Sequence, residues 1–304
     1  MASRLPSSRP PQDAHYIAIT TECAECNPLG VSPPLPCQWD TRDSNYFCRA
    51  CFDAIGQAPP NPAWATSVVC TRDQAFAGAV CARWRARLDA EQNARSAPSL
   101  LLGFDVEWRP NYVKGAVPNR VALVQLAEPG GQVLLTRLVR AKTLHPAIVD
   151  LLTHARVVLV GVGVKEDVKK LTRDFAGCFA DAARRRNEAA RSRASPALRF
   201  ADLGDVARAA RSGRGPGPEG FSLKKLAAFY GVSLSHKTKA LTMTNWEKPV
   251  LFPAEIGYAA QDAASGLKIA RAVFEEARES DGAGVGDGLA SFLASHVQLQ
   301  FAPT

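Results

Sequence analysis

Residues 101–108 read LLGFDVEW, and this stretch decides how the rest of the chain is interpreted. The run is apolar apart from two acids and holds no proline, which predicts a β-strand. Because side chains alternate faces along a strand, Asp105 and Glu107 project from the same side of it. Two neighbouring carboxylates repel each other, and a bound divalent cation relieves that repulsion. A pair of solvated acids on an exposed sheet face is the other interpretation of the pattern.

Other apolar runs typical of strands surround this stretch, and helical patterns alternate with them. The strand-like runs are TSVVC, VALVQLA, QVLLTRL and VVLVGVGV, and helices are predicted for Ala75–Ala90 and near His145–Leu152. Strands dominate the first half of this region and helices the second. The order predicts an α/β fold in which a mixed sheet is flanked by helices.

Composition divides the chain into five parts. Residues 1–18 mix Pro, Ser and Arg without apolar periodicity, which predicts a disordered lead-in. Residues 19–55 hold two close cysteine pairs, and the proline-rich residues 56–65, GQAPPNPAWA, predict a linker. We expect the main domain over residues 66–280. The glycine-rich sequence DGAGVGDG then ends the last helix and leaves a tail, residues 281–304.

The bulk properties favour a polyanionic partner. The 304-residue chain has a net charge of +8 and a sequence pI of about 9.2, which attracts polymers such as nucleic acid. It contains no apolar run long enough to cross a bilayer, and its first residues lack the apolar stretch of a secretory signal. We therefore expect no membrane partner and an intracellular location, with the nucleus favoured over the cytoplasm or an organelle.

Arginines crowd one segment of the second half, namely Arg184, Arg185, Arg186, Arg191 and Arg193. Such a cluster suits three roles: contact with a nucleic-acid backbone, a nuclear-import patch, or a solvated basic helix.

Three further residues extend the acidic set. Asp167 follows VVLVGVGV near the start of a helix, where it can face the sheet or merely interact with the helix dipole. Tyr258 and Asp262 lie four residues apart in a long predicted helix, so they share one face, although this spacing also suits a packing pair. Four carboxylates suit two Mg²⁺ or Mn²⁺ ions, which clamp the oxygens of a phosphodiester. The combination predicts phosphate-ester hydrolysis.

Three separated motifs make the chain resemble the DEDDy exonuclease family, which includes the exonuclease domain of the Werner-syndrome protein and the RNase D group. The motifs are FDVEW, VGVGVKEDVKKL and YAAQDAASGLKIA, and the segments NRVALVQLA and FSLKKLAAFYGVSLSHKTKALTMTNWEKP also fit. The resemblance covers about Thr66 to Ala277. It implies a ribonuclease H-like sheet with helices on both sides. It also implies 3′-5′ hydrolysis of DNA or RNA with a free 3′ end, releasing nucleoside monophosphates.

The resemblance also implies a role for each site residue. Asp105 would bridge both catalytic metals, and Glu107 and Asp262 would complete the site of the metal that binds the nucleophilic water. Asp167 would support the second metal, and Tyr258 would hydrogen-bond the attacking water and the scissile phosphate. The family often has an aromatic residue soon after the last aspartate, where this chain has Ala-Ala-Ser. Contacts near the 3′ end are therefore expected to differ.

Three residues near the motifs are candidates for substrate binding. Trp108 either stacks on the terminal base or, by strand alternation, packs in the core on the other sheet face. Lys237 and Lys239, in SHKTKALT, suit phosphate contacts or simple solvation. The rival to an active exonuclease is a catalytically inactive protein that uses the same surface as a nucleic-acid-binding platform.

The N-terminal cysteines predict a structural metal. Cys23 and Cys26 form one C-x-x-C pair, and Cys48 and Cys51 form another, which is a spacing typical of a site where four cysteines bind one Zn²⁺. Cys37 is a substitute ligand. Because four thiolates leave no open coordination position, we expect this module to dock on nucleic acid or on a protein partner.

Overall fold

A computed structural model describes residues 37–40, 45–48, 67–90, 100–111, 113, 115–190, 197–211, 217–234, 239–280 and 297–301. Its strands are β1 (Cys37–Asp40), β2 (Asn45–Cys48), β3 (Ser67–Thr71), β4 (Leu100–Trp108), β5 (Val121–Ala127), β6 (Gln132–Arg137), β7 (Val157–Gly161), β8 (Ala197–Asp202) and β9 (Gln298–Phe301). Its helices are α1 (Gln74–Ala90), α2 (Pro146–Leu152), α3 (Val164–Asp174), α4 (Ala176–Ala190), α5 (Leu203–Ala210), α6 (Leu223–Phe229), α7 (Lys239–Thr242) and α8 (Pro253–Ser280).

Seven of the strands form one sheet in the order β3-β6-β5-β4-β7-β8-β9. The pairs β3–β6, β4–β7 and β7–β8 are parallel, and β4–β5, β5–β6 and β8–β9 are antiparallel. The sheet is therefore mixed and β4 lies at its centre. This architecture confirms the α/β fold expected from the alternating patterns.

One edge of the sheet differs from the prediction. Strand β9, Gln298–Phe301, pairs with β8, although residues 281–304 were predicted to form a tail. Four residues, QLQF, are too few for a period-two pattern to stand out from the surrounding sequence. The strand is formed by its partner in the sheet, which no local pattern could indicate.

Alternate residues of the central strands supply two cores. On β5, Leu123 joins the core under α5, α6 and α8, whereas Val124 joins the core under α1, α2, α3 and α4. Both side chains are buried. Burying one aliphatic side chain of this size contributes about 1.5–3 kcal/mol. The long helix α8 thus covers the sheet face from which Asp105 and Glu107 project.

Gly103 lets α8 approach β4 closely. A Cβ atom at Gly103 would lie 2.0 Å from the carbonyl oxygen of Ala263, a distance that no side chain tolerates. A Cβ atom at Gly161 would likewise lie 2.6 Å from the carbonyl oxygen of Phe104. The two glycines bring the end of β7 and the middle of α8 against β4, next to the acidic pair.

The strands β1 and β2 form an antiparallel pair in which Cys37 lies opposite Cys48. Several predictions lie outside the described residues: the lead-in 1–18, the linker 56–65, Cys23, Cys26 and Cys51. The zinc-binding module therefore stays a prediction. In the described part of the chain, no helix combines the length and the apolar composition needed to span a bilayer.

Candidate active site

The acidic pair occupies the part of β4 that extends beyond its neighbour. β7 pairs with β4 only from Leu100 to Gly103, while β4 continues to Trp108. Asp105 and Glu107 follow the end of this ladder, and β5 supports them from the other side. Both carboxylates are half-buried, so they are rigidly held and still reachable from solvent.

Helix α8 adds a third carboxylate to the pair. Ligand oxygens of Asp105, Glu107 and Asp262 all lie within 4.8 Å of one another, and Asp262 is 6% exposed. Hard divalent cations bind oxygens at about 2.0–2.6 Å, so opposed oxygens around one cation lie about 4–5 Å apart. The donor set and its spacing therefore fit a Mg²⁺ or Mn²⁺ ion.

Tyr258 lies one helical turn before Asp262. Its ring is buried and stacks on Trp246 at a centroid distance of 6.0 Å. Its hydroxyl group donates a hydrogen bond to the Asp262 carboxylate. Burial, followed by the charges of Asp262 and Glu107, raises the pKa of the Tyr258 phenol far above its usual range. The side chain is therefore a neutral hydrogen-bond donor at any ordinary pH.

Asp167 lies beside the three-carboxylate cluster and is not one of its members. It occupies the first turn of α3, which begins after Gly163 in a left-handed backbone conformation with a φ of 77°. Burial, then the charges of Asp105 and Asp202, raise the pKa of the Asp167 carboxyl to about 9. Without a cation, this carboxyl therefore holds a proton at neutral pH.

Asp202 is a fifth acid near the site that the sequence reasoning missed. Its carboxylate accepts hydrogen bonds from the backbone N–H groups of Gly204, at 2.9 Å, and Gly163. Burial raises the pKa of Asp202 as well. The residue thereby joins the end of β8 to the first turn of α3, which carries Asp167. Its signal was present, because Asp202 also lies between a strand and a helix.

Of the three predicted substrate-contact residues, Trp108 is the one whose side chain the structure describes. Trp108 packs against the core on the α3 face, and the Lys170 ammonium group lies 4.8 Å from its ring centroid. Because this face is opposite to the acidic pair, the placement favours the core position over base stacking. Lys237 lies outside the described residues, and Lys239 begins α7 with a side chain that the structure does not describe.

The sequence match to a known family agrees with this geometry. A family model described as 3′-5′ exonuclease matches residues 88–276, more than half of the chain. The chain belongs to this 3′-5′ exonuclease family. The match includes both strand acids, Asp167, Tyr258 and Asp262.

Curated relatives of the exonuclease family carry the same description. A 3′-5′ exonuclease of Drosophila virilis is 30% identical over 185 residues, which are 60% of this chain and 49% of the relative. Exonuclease 3′-5′ domain-containing protein 2 of Mus musculus is 30% identical over 171 residues, 54% of this chain and 22% of the relative. The chain therefore spans about half of the first relative's length and less of the second.

Solved structures similar to this exonuclease-family chain include Brucella melitensis NrnC. That protein is 18% identical, with 67% of this chain and 86% of NrnC covered and a TM-score of 0.45. The EXD2 exonuclease domain soaked in Mn is 25% identical, with 73% and 98% covered and a TM-score of 0.34. Both superpositions are loose, so family membership rests on the sequence match.

Proposed function

We propose that this protein is a metal-dependent 3′-5′ exonuclease that removes nucleoside monophosphates from DNA or RNA. One observation carries the proposal: oxygens of Asp105, Glu107 and Asp262 lie within 4.8 Å of one another in a chain of the 3′-5′ exonuclease family. Carboxylates this close repel each other when no cation is bound. A divalent cation bound between them offsets that repulsion.

Four carboxylates are proposed to hold two Mg²⁺ or Mn²⁺ ions. Asp105 belongs to the cluster, and its charge also helps to raise the pKa of Asp167, so we assign it as the ligand shared by both ions. Glu107 and Asp262 would complete the first ion's site, and Asp167 would bind the second ion as a carboxylate. Two such ions stabilise the attacking and leaving oxygens of an in-line displacement at phosphorus.

Tyr258 is proposed to orient the reacting groups. Its buried phenol keeps its proton, so it can donate a hydrogen bond but cannot act as a base at neutral pH. Stacking on Trp246 fixes the ring, and the hydrogen bond to Asp262 fixes the hydroxyl group beside the cluster. A hydroxyl held there can hydrogen-bond both a water molecule and a phosphate oxygen, which fixes the line of attack.

The experiment compares matched single strands of DNA and RNA, each labelled internally and offered with a free or phosphorylated 3′ end. With Mn²⁺, the full chain should release mononucleotides from free 3′ ends. Asp105→Asn should lower the rate by about 10³-fold, because the cluster loses a charged ligand. The control is Asp205→Asn, which removes an exposed acid paired with Arg208 on α5 and should leave the rate unchanged.

Two results would contradict the proposal. The first is a wild-type chain that binds both polymers but releases no product with either metal, as a nucleic-acid-binding platform would. The second is equal product from wild type and Asp105→Asn, which would indicate a contaminating nuclease.

We also propose that residues 19–55 bind one structural Zn²⁺ through Cys23, Cys26, Cys48 and Cys51. The β1–β2 pairing places the backbone of Cys37, the substitute ligand, opposite that of Cys48. Zinc content measured after gel filtration should be about one per chain, and Cys48→Ser should lower it. Cys178→Ser, which changes a free cysteine on α4, is the control and should retain zinc. A zinc-free wild type would contradict this proposal.

A further inference from the structure

A cationic cavity lies at the same end of the sheet as the acidic cluster. Its volume is about 780 Å³, and among the described residues one acid, Glu247, lines it. Five basic residues line it, namely Arg109, Arg120, Arg140, Lys142 and Lys248. We name this the basic cavity. Its excess of positive charge predicts an anionic occupant.

The basic cavity begins where the acidic strand ends. β4 ends at Trp108, whose partner on β5 is Val121, and both Arg109 and Val121 line the cavity. Glu107 lies only two residues before Arg109. A polymer that places its terminal phosphodiester at the acidic cluster can therefore extend into the cavity.

The walls of the basic cavity are held by internal hydrogen bonds. Arg137, which is buried, donates to the carbonyl oxygens of Pro249, at 2.8 Å, and Lys248. Asn119 donates to the carbonyl oxygen of Arg109 at 2.8 Å. These bonds fix the segments that carry two of the cations, so the cavity is already formed before any ligand binds.

Arg140 adopts a backbone conformation that suits glycine. Its φ is 60°, and it is the one non-glycine residue with a positive φ in the described part of the chain. A residue with a Cβ atom is disfavoured in this left-handed region, so glycine would be the favoured residue on stability alone. An arginine there places a cation at the cavity despite that cost. Strain of this kind is typical of ligand-binding positions.

One cation of the basic cavity, Lys248, is held by an acid, since its ammonium group lies 2.7 Å from the Glu255 carboxylate. The other four have little competition from acids in the described part of the chain. Arg109 and Glu247 are 3.9 Å apart and partly exposed, which is a weak pair. Within the part of the chain that the structure describes, neither Arg140 nor Lys142 forms an ion pair. By contrast, two arginines of the segment 184–193 are already paired with acids, Arg184 with Asp181 and Arg185 with Asp150.

We infer that the basic cavity binds the sugar-phosphate backbone of a single-stranded polynucleotide whose 3′ end lies at the acidic cluster. This inference rests on the proposed function and names where the upstream nucleotides of its substrate bind. The volume is in the range of small-ligand pockets, about 300–1,000 Å³, which suits nucleotides of a single strand. Val117, 86% exposed, and Pro118 give the lining an apolar part against which a base or sugar can pack.

The test measures binding without turnover. A 5′-labelled 12-nucleotide single strand is titrated with the full chain in EDTA, by fluorescence anisotropy, over a series of salt concentrations. Arg140→Gly should weaken binding by about threefold to tenfold and reduce the slope of log K against log salt by about 0.7, the loss of one phosphate contact. The melting temperature should stay level or rise, because glycine removes the backbone strain.

Two control variants separate local from global charge. Arg83→Ala removes an exposed cation on α1 that does not line the cavity, and it should leave both affinity and salt slope near the wild-type values. Arg140→Lys keeps the charge and should restore most of the affinity. Equal weakening by Arg140→Gly and Arg83→Ala would overturn the inference, and so would wild-type affinity in Arg140→Gly.

Competition identifies the occupant. Unlabelled single strand should displace the probe, whereas polyglutamate or inorganic phosphate at the same charge concentration should not. Displacement by polyglutamate as efficient as by the strand would overturn the inference in favour of an acidic peptide. Because binding is measured without metal, a wild type that binds through Arg140 but hydrolyses nothing would contradict only the proposed function. If the enzyme is active but its affinity for the single strand does not change when Arg140 is substituted, only this inference is contradicted.

Discussion

The acidic cluster and the basic cavity lie at one end of the same sheet but are built differently. The cluster joins acids of a strand and a helix, Glu107 and Asp262, that are 155 positions apart in sequence, and its spacing depends on α8 lying close to β4. The basic cavity is formed by turns and loops, and several of its cations are exposed. The cluster therefore depends on tight packing, whereas the cavity depends mainly on charge.

This difference predicts two kinds of sensitivity. In the cluster, a displacement of about 1 Å should reduce activity strongly, because two cations and a phosphate must be held in line. In the cavity, each cation should contribute a modest and salt-dependent share of binding. Substitutions that alter packing, hydrogen bonding, protonation or charge can therefore test whether the two regions differ in sensitivity as predicted.

Among substitutions that leave every cluster ligand in place, the largest effect is expected from Gly103→Ala. The added Cβ atom would lie 2.0 Å from the carbonyl oxygen of Ala263, so α8 must move away from β4 and take Asp262 with it. We expect a loss of at least about 10²-fold in kcat and about 1–3 kcal/mol in the free energy of unfolding. Nuclease assays and urea denaturation measure the two.

The control is Gly177→Ala on α4, where a Cβ atom would meet nothing within 4 Å. That variant should gain up to about 1 kcal/mol of stability, since alanine favours the helix. Full activity in Gly103→Ala would show that the cluster does not depend on the close contact between α8 and β4.

Tyr258→Phe should have the next largest effect. The ring still stacks on Trp246, but the hydroxyl group that bonds Asp262 is removed. We expect kcat to fall by about 10–100-fold with a small change in melting temperature, because orientation is lost and packing is kept. Tyr230→Phe is the matched control, since it removes another phenol that donates to an acid of α8, Glu276, at 2.8 Å. Equal kcat values for the two variants would rule out an orienting role for Tyr258.

Asp167→Asn should change how stability depends on pH. In the metal-free folded protein the pKa of Asp167 is about 9, above its unfolded value of about 3.9, so the folded state binds the extra proton. The stability that this carboxyl contributes is complete below about pH 4 and is lost as pH rises to about 9. In EDTA, Asp167→Asn should therefore match the wild type near pH 4.5 and exceed its stability at pH 8.5, with a slope of at most about 1.4 kcal/mol per pH unit.

Adding Mn²⁺ should reverse the order at pH 8.5, because the wild type gains stability from a ligand that the variant lacks. Asp181→Asn, an exposed acid paired with Arg184, should show neither the pH trend nor the reversal. A wild type and an Asp167→Asn variant that respond identically to Mn²⁺ would remove Asp167 from the metal site.

Much of the candidate site could be predicted from local periodicity. Strand alternation places Asp105 and Glu107 on one face of β4, and helical spacing places Tyr258 and Asp262 on one face of α8. Both patterns depend only on backbone geometry within one element, so they are legible in the sequence. For Trp108 the sequence left two positions open, stacking on a base or packing on the opposite face, and the structure has it on the opposite face.

The features that sequence reasoning missed depend on contacts between distant segments. The sequence around Gly103 gives no sign that the carbonyl group of Ala263 on α8 approaches it. Strand β9 is defined by its pairing with β8. Asp202 belongs to the site through its bond to Gly163, and the left-handed backbone of Arg140 follows from the turn after β6. Such contacts are set by the tertiary fold, which overrides local propensity.

The smallest effect is expected from Glu247→Gln. Removing this acid should improve single-strand binding, whereas removing an acid from the cluster should reduce activity. Among the residues that the structure describes, Glu247 is the one acid lining the basic cavity; its side chain is 34% exposed, and it lies 3.9 Å from Arg109. A phosphate entering the cavity competes with this carboxylate, and an exposed pair is worth at most about 1 kcal/mol. Glu247→Gln should therefore tighten single-strand binding by about twofold to fivefold in EDTA.

Glu219→Gln, which neutralises an exposed acid paired with Lys225 outside the cavity, controls for net charge and should change binding less. If both variants tighten binding equally, the gain in affinity results from the net charge of the whole protein. If Glu247→Gln weakens binding, Glu247 stabilises the cavity and does not compete with its ligand.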